Sequence, residues 1–195
     1  IFGKAPKLSG EIYIRGEKKN IQSPRDAMRE GIGLVTEERK VDGILMGMSI
    51  AQNITLPNLN QISNHGIMNL KKERGFSQKY FDALRIKAPS LETLMQQLSG
   101  GNQQKVVFAK WIAQNPQILI LDEPTRGIDV SAKYEIYKIM VDLVRQGIGI
   151  IMISSELPEL LSMADRIMVI ANNRVSGMLE RDEFSQEKIM ALAAG

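Results

Sequence analysis

The sequence predicts an α/β fold: a parallel sheet core that carries a separate helical segment. Two patterns point to it. From Pro116 onward, apolar runs at residues 117–121, 148–154 and 166–170 alternate with helical stretches. Strands joined by helices of that length pair in parallel through right-handed crossovers. Ahead of them, residues 49–112 read as mostly helical.

In chain order, residues 10–15 alternate as a short strand with Ile12 and Ile14 on one face, and Gly16 turns the chain. Ser23-Pro24-Arg25-Asp26 starts a helix, with Ser23 capping, Pro24 in the first turn and Asp26 complementing the dipole. Gly31 closes it, residues 32–36 read as a buried strand, and the charged residues 37–43 as a loop. Within the helical segment, residues 71–86 and 102–115 are the clearest helices, and Pro57 with the polar run 58–66 interrupts it. The helix between the first two C-terminal strands shows Ile136, Ile139, Met140, Leu143 and Val144 at core spacing and ends at Gly147. There is no internal repeat or low-complexity tract.

The 195 residues suffice for one core of ordinary size. Hydrophobic (44%) and charged (24%) fractions are those of a globular chain. A net charge of +3, with no basic block interleaved with aromatics, argues against a nucleic-acid partner. The absence of cysteine excludes disulfides and thiolate chemistry. The longest apolar runs fall far short of the roughly 20 residues that span a bilayer. The chain opens Ile1-Phe2-Gly3 without an initiator methionine, signal peptide or twin-arginine start, and is expected to be cut from something longer.

Two motifs carry chemistry. Ile118-Leu119-Ile120-Leu121-Asp122-Glu123-Pro124 is an apolar strand that delivers two carboxylates to the carboxyl edge of a parallel sheet, where open α/β folds bind ligands. Asp122 suits Mg²⁺ held through its water shell, and Glu123 suits polarisation of an attacking water. Leu98-Ser99-Gly100-Gly101-Asn102-Gln103-Gln104-Lys105 places Ser99 as a cap for a helix beginning near Asn102. Two glycines bare the backbone N–H groups of a helix N-terminus, a ready anion site. A G-x-x-x-x-G-K-[ST] phosphate loop occurs nowhere in the sequence.

Together these motifs, followed by Thr125-Arg126-Gly127-Ile128-Asp129-Val130, resemble the signature and Walker B of an ATP-binding-cassette (ABC) ATPase. The likeness is to the second nucleotide-binding domain of the fused ATPase subunits of bacterial monosaccharide importers. Val35-Thr36-Glu37-Glu38-Arg39-Lys40 and Ile153-Ser154-Ser155-Glu156-Leu157-Pro158-Glu159 look closest to the galactose/methyl-galactoside type. The resemblance covers essentially the whole chain. It implies a P-loop NTPase (RecA-like) core with a helical subdomain, lacking the P-loop strand and helix. Residues 1–48 would be a remnant of the β-subdomain and glutamine-loop region, 49–115 the helical subdomain with the signature, and 116–195 the core with Walker B, D-loop and switch region.

The same resemblance implies ATP and Mg²⁺ as cofactors. Leu98, Ser99, Gly100, Gly101, Asn102, Gln103, Asp129 and Glu37 would contact nucleotide, Asp122 and Glu37 the metal, and Glu123 and Ser155 would stand at the catalytic positions. Two of these depart from the general ABC pattern. Glu37 replaces the glutamine that senses Mg²⁺ and water, and Ser155 replaces the switch histidine, so less charge stabilisation is available at this domain's own site. The implied partners are a first nucleotide-binding domain, membrane permease subunits and, indirectly, a periplasmic sugar-binding protein, at the cytoplasmic face of the bacterial membrane. Alone, the chain is expected to be inactive, and uncovered apolar sheet surface would invite pairing with a second copy. A soluble ABC ATPase acting on DNA or ribosomes is a rival reading, marked by coiled-coil insertions or basic arms that this sequence lacks; a non-catalytic dimerisation or docking fragment is another.

Other residues have plainer readings. His65 reads as an exposed loop residue and 71–74 as a solvated helix face. Trp111 reads as a packing anchor, Met140, Met152 and Met168 as core, and Met46 and Met48 as surface.

Overall fold

The computed structural model describes residues 1–64 and 66–194; His65 lies outside them. The chain falls into two compact units, Ile1–Ile151 and Met152–Gly195.

In the first unit, β1 (Ile12–Ile14) and β2 (Glu17–Lys19) form an antiparallel hairpin across Arg15 and Gly16, both at positive φ. Only β1 shows in the sequence, because Glu17-Lys18-Lys19 has no apolar alternation. α1 (Pro24–Arg29) begins as expected: the Ser23 hydroxyl accepts from the Asp26 N–H at 3.3 Å and donates to the Asp26 carboxylate at 2.7 Å. Gly31, at φ +75°, leaves the helix in the left-handed conformation open to glycine. Ile14, Ile21, Ala27, Ile32 and Ile120 then close one core, with Phe2, Ile12 and Leu34 packed against it.

β3 (Ile32–Val35) pairs in parallel with β6 (Ile118–Asp122), from Ile32 opposite Ile118 to Val35 opposite Leu121. β7 (Gly149–Ile153) flanks β6 on the other side. A Cβ at Gly33 would lie 2.7 Å from the Leu119 side chain and 3.3 Å from the Trp111 ring. Trp111 also meets Phe2 edge-on at 5.6 Å, the anchor role its sequence position suggests. The charged stretch after β3 is not an open loop: Arg39–Gly43 winds into one π-helical turn.

The helical segment contains α2 (Ile50–Thr55), α3 (Leu59–Ile62), the two-residue strands β4 (Ser63–Asn64) and β5 (Ile67–Met68), α4 (Leu70–Ala83) and α5 (Gly100–Ile112). Ser49 and Gln52 close a capping box on α2, each side chain accepting from the other's backbone N–H. In residues 71–74 the solvated-face reading fails at Glu73, which is buried and accepts from the Thr55 hydroxyl at 3.1 Å. Residues 103–110 of α5 are all buried, two lysines among them. The Lys105 amine meets Glu135 at 2.7 Å and donates to the Arg85 carbonyl at 2.9 Å. The Lys110 amine donates to the Gly43 carbonyl and stands 5.4 Å over the Trp111 ring, and burial pushes its pKa down to about 8. α6 (Val130–Arg145) buries Ile136, Met140 and Leu143 as its periodicity requires, while Val144 stays exposed at the edge of the stripe.

The second unit corrects the expectation for the third C-terminal strand. β8 (Arg166–Ala171) pairs antiparallel with β9 (Arg174–Glu180), and Asn172-Asn173 turn between them with both residues at positive φ. α7 (Leu157–Met163) and α8 (Gln186–Ala194) complete the unit. Ile167, Val169, Leu179 and Ile189 form its core. The period of two puts Met168, Ile170 and Met178 on the other side, exposed, and the register shift between Val169 and Ile170 brings Val175 out opposite Ile170. Met168 is therefore not a core residue. Met140 is buried as expected, and Met48 is exposed.

Two outcomes follow from this packing. A Cβ at Gly101 would lie 2.5 Å from the Ala132 Cβ. Gly101→Ala is therefore expected to lose about 1–3 kcal/mol in urea unfolding, despite alanine's better helix propensity of about 1 kcal/mol; adding Ala132→Gly should restore most of it. For Lys110, whose folded pKa lies below its unfolded one, the unfolded chain holds the extra proton between about pH 8 and roughly 10.4. Stability should rise with pH across that window relative to Lys110→Met, and the difference between the two melting curves should be flat below pH 7.

Candidate functional site

The register of β3 against β6 decides what meets at the sheet's carboxyl edge. Because Val35 lies opposite Leu121, Thr36-Glu37 and Asp122-Glu123 leave adjacent strands at the same level. This starts the connections that carry Glu37, Asp122 and Glu123, three of the carboxylates read from the sequence, at one edge of the sheet. Asp122 is half-buried, and burial, then the neighbouring Glu123, hold its carboxyl above the usual aspartate range. Such a group gains from a cation beside it. Glu123 turns the chain at φ +48°, an uncommon conformation for a residue with a side chain, and Pro124 and Thr125 behind it are buried.

Glu37 is engaged from across the edge: its carboxylate pairs with the Arg126 guanidinium. Arg39 returns the connection. Its Nη1 donates to the Arg126 carbonyl at 2.8 Å and its Nη2 to the Gly127 carbonyl at 3.3 Å, while Nε reaches the Gln103 Oε1 at 3.5 Å. Sequence reasoning passed over Arg39 and Arg126; only their adjacency to Glu37 and Gly127 marks them. The Thr36 hydroxyl, beside this clasp, is buried without a hydrogen-bond partner.

The signature differs from its sequence reading in one respect. α5 begins at Gly100, not near Asn102, and Ser99 occupies the N-cap position without capping through its side chain. Its hydroxyl instead accepts from the Asn102 side chain at 3.0 Å. Asn102 in turn accepts from the Lys87 N–H at 2.8 Å, and Gln103 donates to the carbonyls of Met95 and Leu98 at 3.1 and 3.3 Å. The first-turn N–H groups of α5 are thus not taken by the cap hydroxyl, which suits an incoming anion. Both glycines sit in close quarters: a Cβ at Gly100 would lie 3.2 Å from the Gly127 carbonyl oxygen, and one at Gly101 would lie 2.5 Å from the Ala132 Cβ. Ser99 is exposed and Leu98 half-buried. Ser99 and Asn102 border a cleft of about 400 Å³ that Lys87, Thr93 and Gln97 also line.

Asp129 caps α6, accepting from the Ala132 N–H at 2.9 Å and the Ser131 hydroxyl at 2.6 Å. Those bonds, Ser131 first, hold its carboxyl below the usual range. Ser155 belongs to the second unit, exposed just beyond β7. Beside it, Ser154 is bonded to Glu159 and accepts from the Glu156 N–H at 3.0 Å.

The donor set fits Mg²⁺ and a polyphosphate. Among the described residues no cluster of three or more His, Asp or Glu converges as a metal cage. Mg²⁺ needs none, since it keeps water and takes phosphate oxygens with one or two carboxylates. A strand-end aspartate whose carboxyl is held above its usual range favours a cation, and a helix start bare of side chains favours an anion.

Comparison with known proteins gives the family. A ribose import ATP-binding protein RbsA from Geobacillus kaustophilus (strain HTA426) is 52% identical over 195 residues, all of this chain and 40% of that protein. A putative ribose/galactose/methyl galactoside import ATP-binding protein from Agrobacterium fabrum (strain C58) is 48% identical over 196 residues, again all of this chain and 39% of that protein. The chain thus spans about two fifths of the length of these relatives. Among solved structures, the dimeric post-hydrolysis state of the ATP-binding cassette MJ0796, bound to ADP and Pi, superposes with a TM-score of 0.73 at 21% identity, over 91% of this chain and 75% of that one. The fold is therefore that of an ABC ATPase core of the P-loop NTPase class. The sequence profile described as ABC transporter matches residues 1–126, and by that match the chain belongs to the ABC transporter family.

Proposed function

We propose that this chain is the second nucleotide-binding domain of a monosaccharide importer's ATPase, and that its signature completes an ATP site on a partner domain. Relatives named as ribose and ribose/galactose/methyl galactoside import proteins, near 50% identity across the whole chain, support the transport reading. The transported sugar would belong to that pentose and hexose class, with galactose or methyl galactoside one member. Residues 1–48, 49–115 and 116–195 would serve as glutamine-loop region, helical subdomain and catalytic core. The observation that carries the mechanism is the asymmetry of the site. The helix start that binds phosphate is intact, while Glu37 and Ser155 stand where a charge-sensing glutamine and a histidine would act.

In this reading Ser99, Gly100 and Gly101 present the N-terminal turn of α5 to the γ-phosphate of ATP held by the partner. Asp129, by capping α6, fixes the D-loop that faces the same partner. Asp122 would hold Mg²⁺ through water at this chain's own edge, with Glu37 beside it, and the ion would neutralise phosphate charge there. Glu123 would orient a water at that edge but lacks a switch histidine to stabilise the transition state. Closure of two such domains would shift permease subunits between inward and outward states. The chain would work at the cytoplasmic face of the membrane, linked through the permease to a periplasmic sugar-binding protein. Among the described residues no helix is long and apolar enough to cross a membrane.

In the assembled transporter, Ser99→Arg is expected to lower ATP hydrolysis and radiolabelled ribose uptake by about 100-fold or more, the scale of losing a transition-state anion donor. Glu123→Gln should lower hydrolysis by no more than about threefold, because its own site turns over slowly. Unchanged hydrolysis in Ser99→Arg would sink the reading in trans. The chain alone, titrated calorimetrically with Mg²⁺-ATP, should give no detectable heat; micromolar binding abolished by either substitution would mean that it holds nucleotide by itself.

A further inference from the structure

We propose that Arg39 is a positioning residue, holding the D-loop and the signature helix together as one edge that meets the partner's nucleotide. The inference rests on the reading of Ser99–Gly101 given above and deepens it.

Arg39 opens the π-helical turn after β3, and its half-exposed side chain lies between two elements far from it in sequence. Nη1 and Nη2 donate to consecutive carbonyls, Arg126 at 2.8 Å and Gly127 at 3.3 Å, while Nε points to Gln103 in the first turn of α5 at 3.5 Å. A planar fork reaches all three from separate nitrogens, whereas an ammonium would have to reach them from a single one. Two consecutive carbonyls face one guanidinium because Gly127 turns through φ +69°. Gly100 makes the room. A Cβ there would stand 3.0 Å from Arg39 Nη2 and 3.2 Å from the Gly127 oxygen. The first signature glycine is thus also the floor on which the guanidinium and the D-loop carbonyl rest.

The connection is reciprocal. Arg126 pairs back to Glu37, so residues 37–39 and 126–127 clasp each other through two side chains running in opposite directions. The Arg126–Glu37 pair is exposed and contributes little by itself. Arg39, about half-buried and bonded to backbone, is the rigid member. Its charge also sits beside the positive end of α5, an arrangement favourable only when an anion arrives. Displacing the D-loop would therefore move the signature's first turn with it, and a shift of either element by about 1 Å is enough to cost catalysis heavily.

The test uses the assembled ATPase, with kcat and KM for Mg²⁺-ATP measured for Arg39→Ala, Arg39→Lys and, in parallel, Ser99→Arg. Amide hydrogen exchange is followed in peptides covering residues 100–103, 126–129 and 70–83. Arg39→Ala is expected to lower kcat about tenfold with KM within about twofold, since the nucleotide is held by the partner domain. Exchange should quicken at 126–129 and 100–103 and stay unchanged at 70–83. Arg39→Lys, which keeps the charge but not the fork, should recover only part of kcat. The proposal falls if Arg39→Lys restores full activity, for then charge alone acts. It also falls if exchange quickens throughout 70–83, the mark of a merely structural role. Wild-type kcat in Arg39→Ala with a collapsed Ser99→Arg would overturn the clasp and leave the signature reading standing. Unchanged hydrolysis in both would overturn both.

Discussion

The parallel pairing of β3 with β6 is the constraint on which the site depends. One residue of slippage would turn Leu119 and Leu121 from the core and move Asp122 out of level with Thr36. The register is guarded from below by Gly33, whose missing side chain lets Leu119 and Trp111 close over the strand. It is continued at the amino end, where the Gln117 and Ile118 N–H groups both donate to the Gly31 carbonyl, at 2.7 and 3.1 Å. Acidic residues then leave the two strands side by side, and the connections that follow carry Arg39 and Arg126 into reach of each other.

α5 is the second constraint, and it is unusual in being buried while carrying amines. Lys105 and Lys110 each end on a backbone carbonyl, Arg85 and Gly43 respectively, and Lys105 adds an ion pair with Glu135 of α6. Buried polar groups of this kind fix placement more than they add stability, because a helix rotated by one residue would leave both amines unpartnered. The amino end of α5 is thereby oriented from its far end, at the Lys110–Gly43 contact, and from its middle, at Lys105.

Much of this was legible in the residues. The helix starts at Ser23 and Ser49, the strand ending in Asp122-Glu123, and the apolar stripe of α6 all follow from local chemistry that tertiary structure then leaves alone. The failures share a physical cause. β2 and β9 pair with the strands beside them through backbone bonds, which ask for no alternation in the side chains. The Asn172-Asn173 turn was the local signal for the second hairpin, and it shows why β8 takes an antiparallel partner. Ser99 has the composition of a capping residue, but Asn102 competes for its hydroxyl. Glu73 and Arg39 look like surface charges until Thr55 and the Gly127 carbonyl, distant in sequence, are brought to them.

The hairpin of the second unit has a chemical consequence. Met168 stands directly opposite Met178, and each is about half exposed, 52% and 51%. Thioethers so placed are open to oxidants, and conversion to the sulfoxide makes a flexible apolar group polar. Two such events on one face would turn the strip formed with Ile170 and Val175 from oily to wet. The packed face of Ile167, Val169 and Leu179 would be untouched. Oxidation there would change the character of the second unit's outer surface and leave its packed side chains as they are.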